Sequence, residues 1–125
     1  MRKVIIAGNW KMNYTPTESI EVIKQLNSLS NETQHIELII IPPFTSVYAI
    51  KDLLNQTKIK LGAQNVYHEL TGAYTGEISI EMLKDCNCNY ILVGHSERRQ
   101  LFNETDEMIN EKIKTIVSHQ CTPII

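Results

Sequence analysis

Short apolar runs alternate with amphipathic stretches along the whole chain. The runs are rich in Val, Ile and Leu, which is typical of strands that are buried on both faces of a parallel sheet. We predict strands at residues 3–8, 36–41, 58–63, 90–93 and 122–125. Between them, an apolar period of about 3.6 residues predicts helices. The alternation of strand, polar loop and helix indicates an α/β fold with right-handed crossovers.

Capping residues mark where these helices begin. We expect N-caps at Thr15, Thr45 and Ser79, and either Glu104 or Thr105 before the last helix. Pro16 and Glu18 strengthen the first of these, as first helical residue and capping-box partner. The helix after Ser79 is expected to end at Asn87 in a left-handed turn. Residues 64–77 show no clear period, and a loop of this length in a compact domain is usually functional or part of an interface.

Two architectures fit this order of elements. One is a five-stranded doubly wound sheet, and the other is half of an eight-stranded barrel, whose whole needs about 250 residues. A receiver-type domain needs carboxylates after strands one and three, where Asn9 and Gln64 stand, and a doubly wound domain normally has a helix after its fifth strand. We therefore expect a single partial domain over residues 1–125, the N-terminal half of a (β/α)8 TIM barrel with four βα units and the start of strand five. Its first and fifth strands would then be open edges.

Composition narrows the class of protein. The formal net charge of the 125 residues is -2, which argues against general binding to nucleic acid or acidic membranes. No apolar run approaches the roughly 20 residues that a membrane span needs. The three cysteines, Cys86, Cys88 and Cys121, lack the paired spacing of a zinc site and fit a structural role in a reducing cytosol.

The candidate chemistry follows the fourth strand, where Gly94 leads into His95, Ser96, Glu97, Arg98 and Arg99. One interpretation is a helix N-terminus capped by Ser96 with a salt-bridged surface. The other is a proton-transfer site with His95 directed into a pocket. If residues 96–99 begin a helical turn, their free N–H groups disfavour an imidazolium nearby. A neutral His95 could then donate a hydrogen bond to a substrate carbonyl.

Parallel strands end on the same face, so Asn9, Lys11, His95 and Glu97 are expected to converge. A lysine attracts an anionic substrate, with about 4 kcal/mol for one charge pair at about 4 Å and an effective dielectric of about 20. A neutral imidazole and an amide stabilise an oxygen that becomes negative during the reaction. This set suits proton abstraction next to a carbonyl through an enediolate. No free carboxylate base is evident, since Glu97 is expected to pair with Lys11.

Three stretches resemble one known family. They are Ala-Gly-Asn-Trp-Lys-Met-Asn at 7–13, Gly-Ala-Gln-Asn at 62–65 with 71–79, and Val-Gly-His-Ser-Glu-Arg-Arg at 93–99. In this order they closely resemble the triosephosphate isomerase family. The resemblance implies interconversion of dihydroxyacetone phosphate and glyceraldehyde 3-phosphate in glycolysis and gluconeogenesis. It also implies a cytoplasmic homodimer that needs no cofactor or metal.

The resemblance also implies roles for individual residues. Lys11 would be the electrostatic clamp, Asn9 a substrate ligand and His95 the electrophile, with Ser96 and Glu97 supporting them. The homodimer contact would involve Met12, Gln64, Thr75, Glu77 and Arg98. Small departures are Asn87 and Asn103 where glycine is expected, and Ile80 where proline is common.

One departure is large, because the resemblance covers only the first half of the family's enzyme. The family's glutamate base and lid follow strand six, and its phosphate-binding amides follow strands seven and eight. We therefore expect a triosephosphate isomerase-type chain that is inactive by itself. The alternative is a non-catalytic half-barrel, either a truncated product or a module that assembles with a complementary half.

Overall fold

The computed structural model describes residues 2–29 and 35–125. Ten elements follow one another in the order that the sequence predicts, with one additional helix. They are β1 (Val4–Asn9), α1 (Pro16–Leu29), β2 (Ile36–Ile41), α2 (Phe44–Leu54), β3 (Lys60–Ala63), α3 (Ile80–Asp85), β4 (Tyr90–Leu92), α4 (Ser96–Leu101), α5 (Asp106–Ser118) and β5 (Thr122–Ile124). The additional helix is α4, which extends the helical turn expected at residues 96–99.

All five strands are parallel and lie in the order β1-β2-β3-β4-β5. This order decides between the two architectures. A doubly wound sheet of the receiver type places its first strand inside the sheet, in the order 2-1-3-4-5, whereas a barrel keeps consecutive strands as neighbours. The sheet is curled, and the prediction of the N-terminal half of a TIM barrel is confirmed.

The hydrophobic core lies between the sheet and its helices. Alternate strand residues such as Ile40, Leu61 and Ile91 pack against the helices there, together with Ile23, Val47, Ile50, Ile109 and Ile116. All five of these helix residues are buried. The remaining strand residues face the concave side of the sheet. A Cβ on Gly62 would lie 3.0 Å from Ile41 Cγ1 and 3.3 Å from Ile39 Cγ2, so these three residues share that side.

The first strand is exposed, although its apolar run predicts burial on both faces. Val4, Ile5 and Ile6 are 57%, 51% and 53% exposed. The physical reason is that β1 lies at the edge of the sheet and pairs only with β2. Its exposure agrees with the expectation that a half-barrel leaves strand one as an open edge, and burial on both faces was wrong for this strand.

Three of the four predicted helix N-caps are confirmed. The hydroxyls of Thr15, Ser79 and Thr105 accept hydrogen bonds from the backbone N–H groups of Glu18, Met82 and Met108. Thr45 was wrong as a cap, because α2 begins at Phe44, two residues earlier than a cap at Thr45 implies, directly after the extended Pro43 (φ -55°, ψ 153°). The two asparagines at expected glycine positions, Asn87 and Asn103, have φ values of 57° and 55°. Both adopt the left-handed region, which asparagine tolerates better than most residues.

None of the helices over residues 2–29 and 35–125 has the length and apolar character that crossing a membrane requires.

Candidate active site

An open cleft lies at the carboxyl ends of the strands. Its volume is ≈ 280 Å³, and Asn9, Lys11, Gln64, His95 and Glu97 line it together with Met12, Phe44, Asn65, Leu92, Arg98 and Phe102. The cleft therefore brings together the four side chains that were expected to converge. It joins them because β1 and β4 are parallel and end on the same face of the sheet.

Lys11 and Glu97 form an ion pair at the mouth of this cleft. Lys11 Nζ lies 2.8 Å from Glu97 Oε1, as the sequence predicted. The hydrogen bond from Lys11 lowers the pKa of Glu97 below its usual value, burial opposes this effect, and the charge of Lys11 lowers the pKa further. Glu97 is therefore ionised and paired at neutral pH, and it is not a free base. The stabilisation of the fold by this ion pair is fully present above the ordinary carboxyl pKa. It is lost as the pH falls through the lowered pKa of Glu97.

The backbone of Lys11 is held in the left-handed region, with φ 54°. That conformation costs a residue with a Cβ roughly 1–2 kcal/mol. Two side chains hold it, since Asn9 Oδ1 accepts from the Lys11 N–H at 2.9 Å and Gln64 Nε2 donates to the Lys11 carbonyl at 2.6 Å. Gln64 thus positions the lysine within the chain, in addition to its predicted homodimer contact. Sequence reasoning missed this role, because the two residues are far apart in the chain.

His95 is the N-cap of α4, a position that the sequence had assigned to Ser96 as one of two interpretations. His95 Nδ1 accepts a hydrogen bond from the Glu97 N–H at 3.1 Å, while Ser96 is the first helical residue and is exposed. Because Nδ1 uses its lone pair in this bond, the ring proton is assigned to Nε2 in the neutral imidazole. In the neutral form of the ring, Nε2–H is therefore the donor that remains available.

The salt-bridged surface of the first interpretation is also present beside the cleft. Arg99 Nη1 lies 2.7 Å from Asp106 Oδ1, and both side chains are exposed. Capping and candidate chemistry thus occupy the same stretch of sequence.

Behind the cleft, a buried ionic cluster joins three segments of the chain. The carboxylate of Glu104 binds Arg98 and also Lys112 Nζ at 3.0 Å, and Lys112 donates to Asn65 Oδ1 at 2.9 Å. Asn65 follows Gln64, so the cluster connects α4 and α5 to the residues that hold Lys11. Sequence analysis missed Lys112, although a lysine on the apolar face of α5, three residues after Ile109, was a signal for it.

Opposing effects act on the pKa of Glu104. Burial raises it, and the hydrogen bonds and charges of Arg98 and Lys112 outweigh burial, so the pKa lies below its usual value. Glu104 is therefore a buried carboxylate that depends on its two cations. Its contribution to stability is present above the ordinary carboxyl pKa and is lost as the pH falls through the lowered one.

We expect Lys112→Met to destabilise the fold by about 3–5 kcal/mol, because it leaves the Glu104 carboxylate buried with only one cation. Urea unfolding followed by circular dichroism measures the loss. Lys114→Met is the matched control on the same helix, since Lys114 pairs with Glu111 at 3.0 Å on the exposed surface. The control is expected to change stability by less than about 0.5 kcal/mol. Equal losses in the two variants would contradict the importance assigned to the buried cluster.

The predicted homodimer residues occupy different environments. Met12 is 95% exposed, Thr75 and Glu77 are exposed, and Gln64 and Arg98 are partly buried by the contacts described above. The 64–77 loop is free of helix and strand, as predicted, and Tyr67 packs on Tyr74 with ring centroids 4.5 Å apart. The role of these residues in a dimer stays a prediction.

Comparison with known proteins agrees with this geometry. The sequence profile of the family described as triosephosphate isomerase matches residues 4–125. Proteins named triosephosphate isomerase from Dictyoglomus turgidum and Alkaliphilus metalliredigens are 53% identical over 124 residues and 52% identical over 125 residues. The alignments cover 99% and 100% of this chain but 50% of each relative. The chain spans about half the length of the curated relatives it matches, and over that half it belongs to the triosephosphate isomerase family.

Proposed function

We propose that this chain supplies the substrate-polarising half of a triosephosphate isomerase active site. The reaction interconverts dihydroxyacetone phosphate and glyceraldehyde 3-phosphate through an enediolate. The observation that carries the proposal is the cleft itself, where Asn9, Lys11 and His95 meet at the carboxyl ends of parallel strands and the Glu97 N–H occupies His95 Nδ1. These groups suit a substrate that is anionic and whose carbonyl oxygen gains charge during reaction.

Each residue of the cleft has a distinct part in this proposal. Lys11 attracts the phosphorylated substrate, Asn9 binds it and His95 donates to its carbonyl oxygen. Glu97 supports both neighbours, through its ion pair with Lys11 and through its backbone N–H bond to His95 Nδ1. Ser96 begins the helical turn whose N–H groups favour the neutral imidazole.

The same cleft lacks a proton acceptor for carbon. Among the described residues that line it, the single carboxylate is Glu97, which is paired with Lys11. We therefore propose that the 125 residues alone do not turn over substrate, and that a complementary half-barrel contributes the base. The proposal extends to the family context of a cytoplasmic homodimer in glycolysis and gluconeogenesis. Exposed Met12, Thr75 and Glu77 are then available for the partner subunit.

A second candidate is a non-catalytic half-barrel that acts as an assembly module. The observation that favours it is the exposed edge strand β1, whose apolar side chains fit an assembly contact as well as they fit barrel closure. The two candidates differ in one measurable property, which is catalysis after the barrel has been completed.

The test is a fusion of this chain to the second half of the Dictyoglomus turgidum relative. If the cleft is an isomerase half-site, the fusion interconverts the two triose phosphates in a coupled assay. The second half expressed alone is the control for contaminating host enzyme. A fusion that melts cooperatively yet shows no activity above this control would favour the assembly module.

Two variants of the fusion separate the proposed roles of Lys11 and His95. Lys11 acts on a charge that is present in both ground and transition states, so Lys11→Met is expected to raise KM by at least about 10²-fold. His95 acts on a charge that develops during reaction, so His95→Gln is expected to lower kcat by about 10²–10³-fold. Lys24→Met is the control, because Lys24 pairs with Glu21 on the exposed face of α1. Steady-state kinetics decide, and an unchanged KM in Lys11→Met would contradict its role as the clamp.

A further inference from the structure

A second ionic cluster lies far from the cleft, at the amino ends of the strands. Glu37 on β2 is 7% exposed, one of its carboxylate oxygens pairs with Lys3 and the other accepts a hydrogen bond from the Tyr90 hydroxyl. Lys60 on β3 adds a positive charge nearby. Since β3 lies between β2 and β4, the Tyr90 side chain crosses one strand to reach Glu37. The cluster therefore ties the residue before β1, the strand β2 and the strand β4 to one carboxylate.

Within this cluster, Glu37 is an ionised carboxylate at neutral pH. The hydrogen bonds from Lys3 and then from Tyr90 lower the pKa of Glu37 against the opposing effect of burial, and Glu37 in turn raises the pKa of Tyr90 to about 12. A buried charge is weak evidence for stability, because well-packed apolar residues in its place often serve as well. Fixing one arrangement among several similar ones is the better-attested use of such groups.

Strand β1 lies at the edge of the sheet, where little packing specifies its register. It pairs with β2 alone, in a register that places Ile5 opposite Glu37 and Asn9 opposite Ile41. A slip of one residue would reverse the faces of the strand, but a slip of two residues keeps them. Val4, Ile5, Ile6 and Ala7 are all apolar and exposed, so their packing distinguishes such registers weakly. A two-residue slip would move Asn9 by about 7 Å along the sheet.

We propose that Lys3, Glu37 and Tyr90 form a register pin that fixes the edge strand β1 on β2 and thereby places Asn9 and Lys11 at the cleft. Tyr90 holds the Glu37 carboxylate in place from the sheet interior, and Lys3 is the only member of the pin that belongs to the β1 segment. The Lys3 side chain is 69% exposed, so its charge can be removed without opening a cavity. These three are positioning residues, and their effect on catalysis rests on the proposed function.

The chain carries its own reporter for this inference. Trp10 is the single tryptophan of the sequence and stands between Asn9 and Lys11. Its backbone N–H donates to the Ile41 carbonyl at 3.0 Å, and its ring contacts Tyr14 edge-on with centroids 5.3 Å apart. A change of register at β1 breaks the first contact and alters the second. Hydrogen exchange of the Trp10 amide and the near-ultraviolet circular dichroism of the ring therefore report on the register without substrate.

The experiment compares Lys3→Met, Glu37→Gln and Lys3→Arg with the unchanged 125-residue chain, all at one concentration. We expect the Trp10 amide to exchange at least about tenfold faster in Lys3→Met and Glu37→Gln, while the amide of Ile91 in β4 keeps its protection. Lys3→Arg retains the cation, so the exchange rate and the spectrum of Trp10 are expected to match those of the unchanged chain. Lys24→Met, which removes an exposed ion pair on α1, is the control and should change neither.

Two results would overturn the proposal. One is an unchanged Trp10 amide in both Lys3→Met and Glu37→Gln, which would show that the carboxyl end of β1 holds its register unaided. The other is equal acceleration at Trp10 and Ile91, which would show a general loss of stability. Neither result depends on catalysis, so the isomerase proposal would stand after such a failure. Conversely, an inactive fusion would not contradict the proposed role of the register pin.

Discussion

The 125-residue chain alone is expected to show no isomerisation of dihydroxyacetone phosphate above background. Polarisation of a carbonyl by His95 and attraction of a phosphate by Lys11 lower the barrier only if a base then removes the proton from carbon. General acid–base catalysis of this kind typically contributes about 10²–10⁴-fold, and that contribution is missing from the cleft. Among the described residues that line it, the one carboxylate is Glu97, which is ionised and paired with Lys11 at 2.8 Å.

A coupled assay on chain purified from a host that lacks its own triosephosphate isomerase measures this. The matched control is the same chain with His95→Gln, because contaminating enzyme is indifferent to that substitution. Activity that is equal in the two preparations is contamination. Activity that disappears with His95→Gln would contradict the expectation and would show that a base is available to this cleft.

Much of the fold could be predicted from the sequence because it depends on local signals. Ser79 and Thr105 stand directly before predicted helices, and both are N-caps in the structure. Thr45 failed as a cap because the preceding Pro43 already has an extended backbone from which the helix can begin. The burial of β1 failed for a different reason. Burial depends on the elements that lie beside a strand. The apolar run at residues 3–8 does not indicate whether its strand lies at the edge of the sheet.

The candidate site could likewise be predicted from the sequence only in part. The convergence of Asn9, Lys11 and His95 follows from the parallel topology alone, since each stands at or just beyond the carboxyl end of a predicted strand. The contacts that hold these residues join distant segments, as Gln64 to Lys11 and Lys112 to Glu104 illustrate. Pairings of this kind depend on packing that no periodicity records. His95 as an N-cap was missed because histidine is an uncommon cap, whereas the adjacent Ser96 is a favoured one.

The 125-residue chain is also expected to self-associate instead of persisting as a monomer. The open edge of β1 presents unpaired backbone groups beside Val4, Ile5 and Ile6, each more than half exposed. An apolar groove of ≈ 330 Å³ adjoins it, lined by residues that include Ile6, Leu26 and Leu29. At the other edge Ile125 is 80% exposed. Natural edges are protected by charges, prolines or bulges, and of these devices β1 has none within Val4–Asn9.

The exposure of individual side chains also indicates which surface takes part in self-association. Sequence alone suggests that the whole concave face is exposed and apolar, yet Ile39 and Ile41 on that face are only 1% exposed. Within the sheet, the exposed apolar side chains therefore lie on the edge strand β1 and not at Ile39 and Ile41. Ile6 belongs to both β1 and the adjoining groove, so a charge at this position acts on the strand edge and on the groove together.

Light scattering across a concentration series tests this expectation. The unchanged chain should give a mass that rises with concentration, and Ile6→Lys should shift the distribution toward the 14.3 kDa monomer, because an edge lysine opposes strand addition. Tyr48→Lys is the control, since Tyr48 is 68% exposed on α2, away from both edges, and its replacement should leave association unchanged. A monodisperse 14.3 kDa species with a cooperative melt at every concentration would contradict the argument and would mean that the open edge of β1 is tolerated in water.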